Sequence, residues 1–165
     1  MLPLSSINDK LIEEFSCGNS ELDKKLFDIK NQNEKLTTIG LVEYYNNTEY
    51  LVGYCTYLTS GISCANEYDK VTYPAAEIKY FAIDEKYQHI YYDKEYKFSD
   101  FLLDNIIRNL YDISEEIISF DYILLYSVPI AISFYKRANF HEFTEFMKRD
   151  SYSYIENCTP MYYKL

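Results

Sequence analysis

Glycine is scarce in this chain and stops early: four of the 165 residues are Gly, and the last is Gly61. Loops that cradle a phosphate between a strand and a helix are usually lined by glycine. Any such cradle after Ala76 must therefore be built from ordinary residues. Tryptophan is absent. Basic residues are few, 16 Lys and Arg against 26 Asp and Glu, for a net charge of −10. Nucleic-acid binding draws on phosphates neutralised by a basic patch. The bases here are scattered among acids, which disfavours nucleic acid and anionic membrane as partners. The same field attracts a cationic amine. Cys17, Cys55, Cys64 and Cys158 contain no CxxC pair, and two histidines, His89 and His141, complete no zinc set. No metal is expected, and the cysteines read as reduced thiols of a cytoplasmic protein. No apolar run approaches membrane-spanning length, and the opening MLPLSSINDK has neither the basic nor the apolar region of a signal peptide.

What the chain does have is apolar bulk. Apolar residues make up 48%, including 20 Tyr and 10 Phe. A single domain over residues 1–165 is expected, long enough to bury about two thirds of its unfolded surface. No internal repeat or linker-like segment breaks it.

Ser20-Glu21-Leu22-Asp23 resembles a capping arrangement, and Leu22, Leu26 and Ile29 follow at helical spacing, predicting a helix from 20 to about 35. Thr38–Tyr45 and Tyr50–Leu58 are β-rich runs around Asn46-Asn47-Thr48-Glu49, a hairpin signal. Residues 59–74 read as irregular and polar. Glu77–Ile83 is a strand. Ser99 caps a helix carrying Phe101, Leu102, Asn105, Ile106 and Leu110, with Asp100 in its first turn. Tyr122–Ser127 is an apolar strand. Pro129 opens the next helix, and Asn139 suits its left-handed stop. Phe140–Met147 and Met161–Leu165 are late strands. Helix, hairpin, strand, helix, strand, helix, strand packs most simply as an α/β (α+β) fold, a mixed sheet flanked by helices.

Four motifs stand in order along this frame: Phe15-Ser16-Cys17-Gly18-Asn19 with Leu22-Asp23, AEIKYFAIDEKYQ at 76–88, YILLYSVP at 122–129, and FYKRANF at 134–140. Together they resemble the Gcn5-related N-acetyltransferase (GNAT) superfamily. The opening is similar to a subgroup that includes toxin-like members. The resemblance spans nearly the whole chain. It implies a mixed central sheet with a splayed central strand pair, acetyl-CoA as co-substrate, and a homodimer as a family-level expectation.

The departure is the loop. The family follows its central strand with Gln or Arg, two residues, Gly, any residue, then Gly or Ala. Gln88 is present, but His89 to Phe98 follow as an aromatic, charged insertion, and Ser99 and Asp100 stand where the glycine-rich turn would meet the helix. The pyrophosphate is then expected at the helix N-terminus, on backbone N–H groups. Lys94 or Lys97 would add charge, and Asp100 would oppose an anion. Gln88, Ser99, Asp100 and Phe101 are the candidate contacts.

The resemblance also assigns chemistry. Attack of an amine on a thioester needs a base, a stabilised oxyanion and an acid for the departing thiolate. Glu77 falls where histone-acetylating members carry a base. Carboxylates are weak bases in water and stronger when desolvated; the bland alternative is an exposed strand glutamate. Tyr135 aligns with the tyrosine often assigned as acid, beside Phe134, with Asn139 in the glycine position. The strand around Phe81, Ala82 and Ile83 would meet the acetyl carbonyl and the pantetheine arm. Ser127, Pro129 and Ile130 would line the cofactor cleft. His89 and His141 are read as surface, and Cys17 as packing. The expected function is acetyl transfer from acetyl-CoA to a primary amine of a small molecule or protein. The alternatives are a GNAT-fold binding or assembly module that has lost catalysis, and a toxin acetylating aminoacyl-tRNA, against which the charge of −10 counts.

Overall fold

The computed structural model describes residues 1–32, 36–65, 69–149 and 157–165. It is a mixed α/β protein that divides into two compact units, Met1–Tyr57 with Tyr80–Leu102, and Leu58–Lys79 with Leu103–Leu165.

In the first unit the chain enters as β1 (Leu2–Pro3), a 3₁₀ turn (Leu4–Ser6) and α1 (Asp9–Glu13), then α2 (Ser20–Gln32) and β2 (Thr37–Tyr45). β2 turns into β3 (Thr48–Ala65), which runs on into the second unit, where β4 (Lys70–Ile83) begins before ending in the first. β1 and β3 lie antiparallel on either side of β2. The hairpin turn is Asn46-Asn47, both with positive φ (49° and 59°). That is the conformation a two-residue turn needs to match strand twist, and asparagine tolerates it. The core of this unit is Leu4, Ile7, Ile12, Phe15, Leu26, Ile29, Leu51, Tyr54 and Ala82. α2 points Leu26 and Ile29 into it, as the helical spacing predicts. Its cap is one residue earlier than expected: Asn19, not Ser20, accepts the N–H groups of Glu21 and Leu22.

One glycine of β3 has a packing role. The ladder passes from Leu41↔Gly53 to Val42↔Leu51, leaving Val52 as a bulge residue. A methyl on Gly53 would lie 2.7 Å from the Ala82 carbonyl and 3.2 Å from Leu41 Cδ1. The first is backbone and cannot rotate away. Gly53→Ala is expected to lower unfolding free energy by about 1–3 kcal/mol, as overpacked cores do, read as a reduced midpoint in denaturant.

In the second unit β4 pairs in parallel with β5 (Tyr122–Ser127), which pairs antiparallel with β8 (Thr159–Lys164). β6 (His141–Glu142) flanks β8, and β7 (Met147–Arg149) pairs with the far half of β3. Ile62, Ala75 and Leu124 form the buried cluster, with Tyr122, Tyr126, Phe143 and Tyr162 against it. The parallel ladder runs from Ala75↔Tyr122 to Ile78↔Leu125 and no further, although β4 continues to Ile83 and β5 to Ser127.

The described residues of 59–74 are largely regular. Up to Ala65 and from Lys70 they are strand. Hydroxyl side chains hide this from a hydrophobicity reading: Ser63 and Thr72 hydroxyls pair at 2.8 Å, the polar version of a cross-strand contact. The late strand predicted at Phe140–Met147 is two short ones, β6 and β7, with a turn between. Residues 33–35, the end of the predicted first helix, lie outside the described residues.

α3 (Glu85–Gln88) and α4 (Phe98–Glu116) follow β4. α4 buries Leu102, Leu103, Ile106 and Leu110 on one face. A 3₁₀ turn (Pro129–Ala131) precedes α5 (Ile132–Arg137), so proline opens a turn and the α-helix begins three residues later. Asn139 ends it with φ 64°, as expected. Among the described residues no helix is long and apolar enough to cross a membrane.

Candidate active site

The end of β4 is built from two pieces far apart in sequence. Asp84 follows the strand, and its N–H donates to the Val52 carbonyl at the bulge (3.0 Å). Its carboxylate caps α3, accepting from Lys86 N–H at 2.9 Å, and lies 3.5 Å from Ser16 N–H. Glu85 N–H donates to Ser16 C=O (2.9 Å). Gln88 Nε2 donates to both the Cys17 and Ile83 carbonyls, at 2.9 and 2.8 Å. Gly18 sits at φ 78°, where an added Cβ would lie 2.6 Å from Glu85 Oε1. Asp23 closes the other side by accepting from Cys17 N–H (2.9 Å).

The FSCGN motif is thus a hydrogen-bonded clasp on the strand end. Gln88, expected at the pyrophosphate, holds the clasp with its amide. Gln88→Leu leaves two carbonyls without their donor. It is expected to cost about 1–3 kcal/mol, seen as a lower thermal midpoint in calorimetry. Burial, and then the hydrogen bond with Asp23, push the Cys17 thiol up to about 12. It stays protonated at neutral pH, which agrees with packing and not with a nucleophile. Asp84 and Asn19 were missed as site-building residues. Asp84 opens DEKYQ as a helix cap would, but the partner that makes it matter, Ser16, is 68 residues away.

The insertion folds back on itself. Asp93 Oδ1 accepts from Glu95 and Tyr96 N–H groups, both at 3.0 Å, and Tyr92 N–H donates to Tyr96 C=O. Tyr91 bridges Lys97, whose ammonium lies 5.9 Å over the Tyr91 ring. Tyr92 stacks on Phe101 at 4.6 Å and 10°. α4 begins at Phe98, and its cap lies two residues before the expected Ser99. Lys97 C=O takes the first helical bond from Phe101 N–H, so Lys97 occupies the cap position and Ser99 lies in the first turn. Phe81 is half-buried; Ala82, Ile83 and Ser99 are buried; Asp100 and Phe101 are half-buried. His89 is exposed.

In the second unit, Glu77 is 1% exposed, between buried Ala76 and Ile78 and in register with Leu124. The exposed-strand alternative is therefore excluded. Tyr135 is also buried in α5, its ring 5.0 Å from Phe134 and 5.7 Å from Phe140. Phe140 N–H donates to Tyr135 C=O (3.0 Å), made feasible by left-handed Asn139. Phe134 is half-buried, with the Arg137 guanidinium 5.7 Å over its ring. Ser127 is buried and donates to Val128 C=O. Ile130 is 91% exposed. His141 is exposed. The predicted residues thus fall into two sets. Phe81 to Ile83, Gln88 and Ser99 to Phe101 belong to the first unit, and Glu77, Ser127, Ile130, Phe134 and Tyr135 to the second. No group of three or more His, Cys, Asp or Glu among the described residues could hold a metal.

No family model matches the chain, and no curated protein matches it in sequence. Solved structures do match. The KacTA–DNA complex aligns over 99% of this chain and 91% of that one, at TM-score 0.70 and 20% identity. A mutant of the toxin AtaT, bound to the C-terminus of the antitoxin AtaR and acetyl-CoA, aligns over 93% and 84%, at 0.65 and 17%. AtaT complexed with acetyl-methionyl-tRNAfMet aligns over 90% and 85%, at 0.63 and 18%. These toxins have the GNAT fold, and this chain has it too.

Proposed function

We propose that this GNAT-fold chain is an N-acetyltransferase that moves an acetyl group from acetyl-CoA to a primary amine, with residues 1–165 forming one catalytic domain. The observation that carries the reading is Tyr135. It is a buried tyrosine in α5 followed by left-handed Asn139, within a fold shared along most of its length with an acetyl-CoA-bound toxin. Acetyl-CoA supplies an activated thioester. In this reading Glu77 accepts the proton the amine loses as its nitrogen bonds to the acetyl carbon. Tyr135 gives its hydroxyl proton to the sulfur as the carbon–sulfur bond breaks. A phenol with pKa near 10 is protonated at neutral pH and well matched to a thiolate.

The acceptor divides into two readings. The net charge of −10 favours a small or protein-borne cationic amine. The likeness to AtaT complexed with acetyl-methionyl-tRNAfMet favours the α-amine of an aminoacyl-tRNA. That likeness also keeps nucleic acid among the candidate partners. Thiol release from acetyl-CoA, measured against polyamines, lysine peptides and charged tRNA, separates them. Release above background with one acceptor class supports the enzyme and names the class. Absence of release with every acceptor at millimolar acetyl-CoA favours the non-catalytic binding module. Growth arrest on induction, relieved when turnover is removed, is the expected sign of the tRNA reading.

A further inference from the structure

We infer that the acetyl donor is selected through its thioester end, and that its diphosphate is not held by the segment between β4 and α4. This rests on the acetyltransferase reading above. A backbone cradle for a diphosphate needs consecutive N–H groups without partners, turned to solvent and away from carboxylates.

The segment offers the opposite. Asp84 N–H bonds Val52 C=O, Glu85 N–H bonds Ser16 C=O, and Tyr87 N–H bonds Asp84 C=O. Lys86 N–H is taken by the Asp84 carboxylate. Ile90 N–H donates to the Tyr87 carbonyl of α3, Tyr92 and Asp93 N–H to the Tyr96 carbonyl, and Glu95 and Tyr96 N–H to the Asp93 carboxylate. At the start of α4, Phe98 N–H bonds Ile90 C=O (2.9 Å) and Asp100 N–H bonds Lys97 C=O (3.1 Å). Ser99 N–H is left in that turn, on a residue 8% exposed that Asp100 follows in the chain. Phe98 is equally buried, and Tyr92 lies flat on Phe101 beside it. The lysines give charge without a cradle: Lys86 and Lys94 are exposed, and Lys97 lies over Tyr91. The insertion has therefore consumed the helix end that the glycine-rich turn would have left open.

The test compares acetyl-CoA with S-acetyl-pantetheine, which lacks the nucleotide and diphosphate, using the full chain and one amine. The expected kcat/KM values agree within tenfold. Adenosine 3′,5′-bisphosphate at millimolar concentration is expected to give no calorimetric heat and no inhibition. A loss greater than tenfold with the truncated donor, or inhibition by the bisphosphate, overturns this inference and leaves the acetyltransferase reading standing. Failure of both donors with every amine overturns that reading, and this inference with it.

Discussion

With Tyr135 replaced by phenylalanine, turnover of acetyl-CoA is expected to fall about a hundredfold, at the low end of the range for loss of a general acid. The low end is chosen because solvent water can protonate a departing thiolate slowly. The substitution removes one oxygen and keeps the ring, so the contacts with Phe134 and Phe140 persist. The thermal midpoint is expected to move by only a few degrees, and KM for the donor by less than threefold. A proton donor acts as the carbon–sulfur bond breaks, so its loss should appear in kcat, not in ground-state binding. A kcat within threefold of the unmodified chain removes Tyr135 from the chemistry. An equal fall in kcat and thermal stability makes it a core residue only. The variant is best read beside Phe140→Leu, which loosens the packing around Tyr135 and leaves its hydroxyl in place.

The features legible in the sequence are those set by neighbours in the chain. The Asn46-Asn47 turn, the stop at Asn139 and the strand Tyr122–Ser127 each depend on a few consecutive residues, and each stands where the sequence puts it. What could not be read depends on distant partners. The bonds Gln88 makes are not legible in the sequence, because its partners, the Cys17 and Ile83 carbonyls, include one 71 positions away. β3 was cut short at Leu58 because Thr59, Ser60 and Ser63 read as loop. For Ser63 the strand state goes with the pairing of Ile62, Ser63 and Cys64 to β7 and with the Ser63–Thr72 hydroxyl pair. The helix cap slipped from Asn19 to Ser20 because both residue types cap well. Only the geometry separates them.

Glu77 is where strand reading and burial diverge most, and it gives the second large prediction. A strand with one solvated face alternates in burial, but Ala75, Ala76, Glu77 and Ile78 are all buried. This part of β4 is covered on both faces, so period-two reasoning could not tell whether the carboxylate faces solvent. Burying a carboxylate costs free energy except where its partners offset it, and an amide of the same shape carries no such cost. Glu77→Gln preserves shape and one acceptor oxygen but cannot take a proton. The expected result is a fall in kcat of about a hundredfold to a thousandfold, with the thermal midpoint unchanged or raised. The sign of the stability change decides the case. A base held at a cost to stability gives slower turnover in an equally or more stable protein. A structural carboxylate gives a less stable protein whose remaining folded fraction turns over normally. Measuring kcat per folded molecule alongside the unfolding midpoint separates the two, and the second outcome leaves proton removal to water or to another residue.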